Sequence, residues 1–300
     1  MPGEPTPTRD EALSYLRDRR NWGRWGADDQ RGAVNLITPE KRIRAASLVR
    51  SGRSVSLSRD LPTVPGRGNP MPATHWLRVM ENAVIDHIGI GYHGYVTTHV
   101  DALCHVWDEA GMWNGRDPGI EVTSQGARFG AIQHWRDGIT TRGVLLDVPK
   151  FRGDPSVTIE RPVHGYELEA IAKAQSVTVE PGDALVVYSG REAWQAANPS
   201  WSGYRPPSPG LHASCLPFVR EHDVAVLAWD LMDAAPNEYG LAWTINGAIF
   251  AYGVALVDNA LLQPLAEACA EEGRYEFMLT FAPLPVVGGT GSPVNPIALF

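Results

Sequence analysis

Three hundred residues, 44% hydrophobic and 20% charged, make an ordinary globular chain with room for one large core. A net charge of −8 argues against a nucleic-acid surface. No apolar run reaches the ~18 residues of a membrane span, and no targeting pattern opens the chain. The expected setting is therefore the cytoplasm, with a small molecule as partner and neither nucleic acid nor membrane.

Residues 1–21 are expected to form a loose, proline-containing arm and a short amphipathic helix over Glu11–Arg20. Residues 22–300 then make one domain. Asn21 to Asp29 is turn-rich and holds Trp22 and Trp25; such a pair covers a core or a subunit interface, and the expected assembly is a homodimer or larger. Thr38-Pro39 opens a helix as cap and first residue, and Gly52 follows its end. Residues 60–75, rich in proline and glycine, read as a long loop of the kind that serves as a lid or binding loop. His75 and Trp76 close it, either lining a substrate pocket or packing the loop end.

The chemistry concentrates in Tyr92 to His105. His93, His99, Asp101 and His105 fall within thirteen residues, in a chain with nine histidines. On a strand His99 and Asp101 share a face, their Cα atoms ~7 Å apart. His105 joins them only if the chain turns through Ala102-Leu103-Cys104. The set is either a hydrogen-bonded pair beside a core strand or a nitrogen–oxygen metal site. Thr97 and Thr98, polar groups on an otherwise apolar strand, favour the metal site. Such a thiolate-free donor set suits Zn²⁺, Mn²⁺ or Fe²⁺.

Further along, strands are expected at Val144–Val148, Ala184–Tyr188, Val224–Trp229 and Tyr275–Phe281. Helices are expected at Tyr166–Gln175, Ala213–His222, 244–254 and 260–271. The alternation predicts a single α/β domain. Cys104, Cys215 and Cys269 are widely spaced and read as reduced core thiols. Neither Gly-x-Ser-x-Gly nor His-Glu-x-x-His occurs, so lipase- and zincin-type readings have no support.

Thr98 to His105 resembles the core of the cyclase-family motif His-x-Gly-Thr-His-x-Asp-x-x-x-His, in a family that includes bacterial kynurenine formamidase and isatin hydrolase. Asn35-Leu36-Ile37-Thr38-Pro39, Arg142 to Asp147, Pro181 to Leu185, Asp258-Asn259 and Gly288 to Pro296 resemble further landmarks in the family's order. The resemblance implies a swivelling β/β/α fold with a curled mixed sheet. It implies His99 and Asp101 as metal ligands and His105 as the acid/base residue.

Four positions depart from the pattern. Thr97 replaces a glycine, and Tyr95 stands where the family has its first ligand histidine. His93 is the nearest substitute, though extended backbone would leave it ~20 Å from His99 unless a bulge at Gly94 brings it in. Gly210 aligns with a ligand histidine, His212 being displaced by two; Glu221 or His222 falls near a ligand glutamate; Asn246 stands where relatives carry histidine. The expectation is one divalent ion, Zn or Mn, held by His99 and Asp101 with His212 and His222 as further candidates. His93, Tyr95, His75 and Trp76 are expected at the substrate, with Trp107, Trp113 and Trp135 as an apolar wall. The implied activity is hydrolysis of a lactone, lactam, imide or N-formyl aryl amide. The alternatives are a polyketide-type cyclase or lyase using the metal as Lewis acid, and a binding relative without catalysis.

Overall fold

The computed structural model describes residues 6–66, 68–203 and 206–300. Part of the expected N-terminal arm, residues 1–5, lies outside them.

Thirteen strands occur among these residues. They are β1 (Ser54–Ser56), β2 (Thr74–Val79), β3 (Val84–Gly89), β4 (His99–Asp101), β5 (Val122–Thr123), β6 (Gly126–Ala127) and β7 (Ile139–Asp147). The rest are β8 (Ala184–Tyr188), β9 (Val226–Trp229), β10 (Ala255–Asp258), β11 (Glu276–Phe281), β12 (Gly291–Pro293) and β13 (Ile297–Leu299). Nine of them form one curled mixed sheet in the order β1-β13-β11-β7-β8-β9-β10-β4-β12. Its centre, β7 to β10, is parallel, and the flanking pairs are antiparallel.

The parallel strands read as near-continuous apolar runs because both their faces are covered. Val144 to Leu146, Ala184 to Val187 and Val226 to Leu227 are wholly buried. Helices Pro39–Ala46, Gly165–Ala174 and Gln263–Glu272 pack on β7. Pro264 in the first turn of the last of these sets its start, three residues later than the apolar pattern suggested.

The N-terminal helix spans Arg9–Arg17, fixed by a capping box between Thr8 and Glu11, and it buries Ala12, Leu13 and Leu16. Trp22 and Trp25 pack against the same core, and Trp22 Nε1 donates to the Phe250 carbonyl at 2.6 Å. These two tryptophans are thus partly buried against their own chain. Trp113 and Trp135, expected beside a substrate, are core residues, their indole N–H groups donating to Asp29 and Arg31 carbonyls.

The loop expected over 60–75 gives way at Thr74 to a two-stranded hairpin of β2 and β3. Its sequence lacks the apolar/polar alternation that marks a half-buried strand, because neither face is buried against the domain.

Candidate metal centre

β4 lies between β10 and β12, with Asp258 directly opposite His99 on one side and Gly291 opposite Asp101 on the other. Period two puts His99 and Asp101 on one face, and the antiparallel register brings Asp258 to the same place. After Asp101 the chain turns: His105 N–H donates to the Ala102 carbonyl at 3.0 Å. His105 Nε2 thereby returns to 3.7 Å from Asp101 Oδ2.

His93 also enters the site. The segment from Gly91 to Thr98 is not extended, and Gly94 turns it at φ +126°, a conformation suited to glycine. His93 Nδ1 comes within 2.9 Å of Asp101 Oδ1, and its ring stacks on His105 at 3.9 Å with only 4° between planes. Thr290 Oγ1, 3.0 Å from His93 Nε2, holds the other edge of the ring. The missing Cβ of Gly291 makes room, since one would sit 2.9 Å from His93 Cε1.

A polar brace fixes this segment from behind. Asn259 Nδ2 donates to the carbonyls of Gly94 at 2.5 Å and Thr97 at 3.1 Å. Buried Arg191 donates to the Tyr95 carbonyl and to Asn259 Oδ1. Thr98 Oγ1 donates to the Asn259 carbonyl at 2.8 Å and accepts from Arg59 N–H. One threonine of the strand is thereby satisfied by its neighbours.

His99 Nδ1 donates to the Thr97 carbonyl at 2.8 Å, which leaves Nε2 to face the carboxylates. Nε2 is 3.4 Å from Asp101 Oδ1 and 3.8 Å from Asp258 Oδ2. Trp229 Nε1 donates to Asp258 Oδ1 at 2.5 Å and so aims the other oxygen at His99. Burial disfavours charge on His99, but Asp101 and then Asp258 outweigh it and lift its pKa to about 9. Burial also works against the Asp101 carboxylate, yet His105, His99 and His93 hold it well below the usual range. Burial and the adjacent Asp101 charge raise Asp258 to about 7. For His105 burial prevails over the pull of Asp101, and its pKa falls to about 4. The cluster thus holds one firm anion, Asp101, and a neutral imidazole on its solvent side.

Both Asp101 oxygens and His93 Nδ1 are buried without a hydrogen bond. A buried carboxylate left so is costly. Two groups of candidate ligands share Asp101 among the described residues: His93–Asp101–His105 and His99–Asp101–Asp258. Tetrahedral Zn²⁺ with bonds of ~2.0–2.2 Å separates its ligand atoms by about 3.3–3.6 Å. The spacings of 2.9, 3.4, 3.7 and 3.8 Å bracket that range, so the donor set fits a divalent cation.

Residues 53–236 match the sequence model of the family described as "Putative cyclase". The chain belongs to the cyclase family. A solved structure described as a novel cyclase is 31% identical and superposes with a TM-score of 0.82, over 94% of this chain and 99% of that one. Isatin hydrolase A from Ralstonia solanacearum superposes at 0.60 with 15% identity, over 87% and 97% of the two chains. Isatin hydrolase A from Labrenzia aggregata, bound to benzyl benzoate, does so at 0.57 with 15% identity, over 85% and 94%. No curated protein matches the chain.

The cyclase chain places its other candidate residues elsewhere. His212 caps the turn at Ala213–Cys215, and its Nε2 meets Glu238 at 2.7 Å. His222 ends the helix Leu216–Glu221, with Nδ1 donating to the Phe218 carbonyl and its ring stacked on Phe218. Neither belongs to a group around Asp101. Asn246 Nδ2 donates to Asp233 at 3.2 Å. Tyr95 packs its ring against Gly203. His75 pairs with Asp86 at 2.7 Å and Trp76 stacks on His87, both on the exposed hairpin. Asp258 is the site residue that sequence reasoning missed; it stood out only as part of a family landmark, because cross-strand register is not written in spacing.

Gly210 has a physical reason to be glycine. A Cβ there would collide with the Met232 carbonyl oxygen, because the two backbone segments touch. Gly210→Ala is expected to destabilise the fold by about 1–3 kcal/mol or more, and Gly210→His more severely rather than adding a ligand. Thermal melting checks this: an unchanged Tm would contradict the close approach.

Proposed function

We propose that this cyclase-family chain is a hydrolase that depends on one divalent ion, Zn²⁺ or Mn²⁺, and adds water to the acyl carbon of a small amide or ester. Lactones, lactams, cyclic imides and N-formyl aryl amides are the substrate classes. The observation that carries the reading is the buried Asp101 carboxylate, which makes no hydrogen bond yet is ringed by three imidazoles, two of them partly open to solvent. His99 and Asp101 are the proposed ligands, with Asp258 in the same group and steadying His99. The fold shared with isatin hydrolases supports hydrolysis among the uses of such a site.

When bound, the ion polarises a carbonyl and lowers the pKa of a water to ~7. The chain's own residues do the rest. His105, neutral near pH 7, accepts a proton at Nε2 and returns it to the leaving group. His93, stacked on it, keeps the His105 ring in one plane. Asp101 stays ionised throughout and favours the imidazolium that forms. Buried free thiols at Cys104, Cys215 and Cys269 suit a reducing cytoplasm.

Elemental analysis of protein purified without chelator tests the reading. About one divalent ion per chain is expected, and its absence after metal reconstitution would remove the proposal. Affinity should also follow pH. His99, with a pKa of about 9, is protonated at pH 7 and must lose that proton to ligate. Calorimetry in buffers of different ionisation enthalpy should therefore find about one proton released per ion at pH 7, and affinity should rise toward pH 9. Binding that releases no proton would place the ion away from His99.

A further inference from the structure

We propose that Arg191 and Asn259 are positioning residues for the metal centre. They fix the Thr97 carbonyl, and that carbonyl holds the His99 ring with Nε2 turned toward the carboxylates. The inference deepens the metal-site reading and rests on it for its effect on ion binding. Neither residue belongs to a group of candidate ligands among the described residues, so both act on the site through another residue.

The hydrogen bonds from Arg191 to His99 run in one direction only. A guanidinium has donors and no acceptor, so the Asn259 atom facing Arg191 Nη1 at 2.6 Å must be its amide oxygen. The amide nitrogen is thereby turned to the carbonyls of Gly94 and Thr97. Thr97 O accepts twice, from Asn259 Nδ2 at 3.1 Å and from His99 Nδ1 at 2.8 Å. A carbonyl cannot donate, so the neutral ring carries its one proton on Nδ1, and Nε2 is the nitrogen left for an ion. Arg191 Nη2 donates to the Tyr95 carbonyl as well, which ties down the residue after the turn at Gly94.

Two features set this brace apart from ordinary packing. Arg191 is 3% exposed, and a charge so buried is costly unless its donors are taken up. Its nearest carboxylate by sequence contact, Asp230, is already held by the backbone N–H groups of Ser189, Arg191 and Leu231. The η nitrogens go instead to uncharged oxygens, the Asp230 and Tyr95 carbonyls and the Asn259 amide. Asn259, for its part, stands at φ +56°, a left-handed backbone that asparagine tolerates better than most residues. It directly follows Asp258. One strand end therefore sends Asp258 toward His99 Nε2 and Asn259 toward the carbonyl on the Nδ1 side.

The test uses the full chain labelled with ¹⁵N-histidine. NMR of the metal-free protein reads the His99 ring, and competition with a chromophoric chelator reads Zn²⁺ affinity. The wild type is expected to show a His99 Nδ1–H proton that exchanges slowly with water. Asn259→Asp keeps the shape and the tolerance of left-handed backbone but replaces the donor by a carboxylate oxygen. It is expected to lose the slow Nδ1–H signal and to bind Zn²⁺ about 10–100-fold more weakly, the range for a group that orients a ligand. Arg191→Lys, which keeps the charge but not the fork of donors, is expected to fall between the two. Asn259→Gly accepts φ +56° without strain and answers for an aspartate variant that does not fold; the same losses are expected. Variants with a lower Tm but the wild-type Nδ1–H signal and Zn²⁺ affinity would overturn the proposal, since the brace would then be structural only. A wild type without a protected Nδ1–H would overturn it too. If the wild type shows that signal but takes up no Zn²⁺, the metal-site reading fails, while loss of the signal in the variants still supports the positioning of His99.

Discussion

Asp101→Asn is expected to leave a folded protein whose affinity for divalent ions has dropped by more than 100-fold, with hydrolysis lost in proportion. Removing a partner that only orients a ligand costs 10–100-fold, and Asp101 is the one residue common to both groups of candidate ligands. Its two oxygens are aimed at different imidazoles, His93 and His99 at Oδ1 and His105 at Oδ2. The amide keeps the shape and removes the charge. In the metal-free variant His99 loses its principal anion, so its pKa should fall from about 9 toward or below the ordinary histidine value, which histidine NMR reads directly. An Asp101→Asn protein with full metal occupancy would show the carboxylate to be a structural partner of His99 alone.

His105→Gln is expected to keep its metal and its melting temperature while losing about 10²–10⁴-fold in kcat, the usual size of a general acid/base contribution. Glutamine fills the space and hydrogen-bonds but moves no proton near neutral pH. His105→Ala should behave alike in rate. A His105 that serves as ligand would show another pattern, with metal and activity lost in step and partly restored by excess ion. One that merely packs would show a lower Tm and an unchanged acid limb of the pH–rate profile. That limb, in the wild type, belongs to His105 and the ionising water together. Because burial keeps His105 neutral, its own protonation enters well below the ordinary histidine range.

How far the sequence could be read follows from the range of each signal. His99 and Asp101 were legible because strand periodicity is local, and β4 delivers them on one face. The turn that returns His105 needed only three intervening residues. His93 is reachable only through a bulge at Gly94; the turn found there is braced by Arg191 and Asn259, 96 and 165 positions from the residues they hold. Asp258 depends on β10 pairing with β4, again long-range. His212 and His222 were drawn in by alignment, but the aligned backbone at Gly210 touches Met232 and each histidine has a local partner. The central strands and the curled mixed sheet were legible because buried apolar runs and family landmarks agree along the chain. The hairpin escaped because its apolar residues are exposed rather than buried against the described residues of the domain.

A divalent ion at Asp101 is proposed to serve in adding water to a carbonyl. The most direct measurement is product mass, after metal-loaded protein is incubated in ¹⁸O-water with lactones, cyclic imides and N-formyl aryl amides. The expected product set has gained one labelled water, is formed only with metal and is abolished by chelator and by Asp101→Asn. Products of unchanged mass, products lighter by one water, or turnover that survives chelation would contradict it.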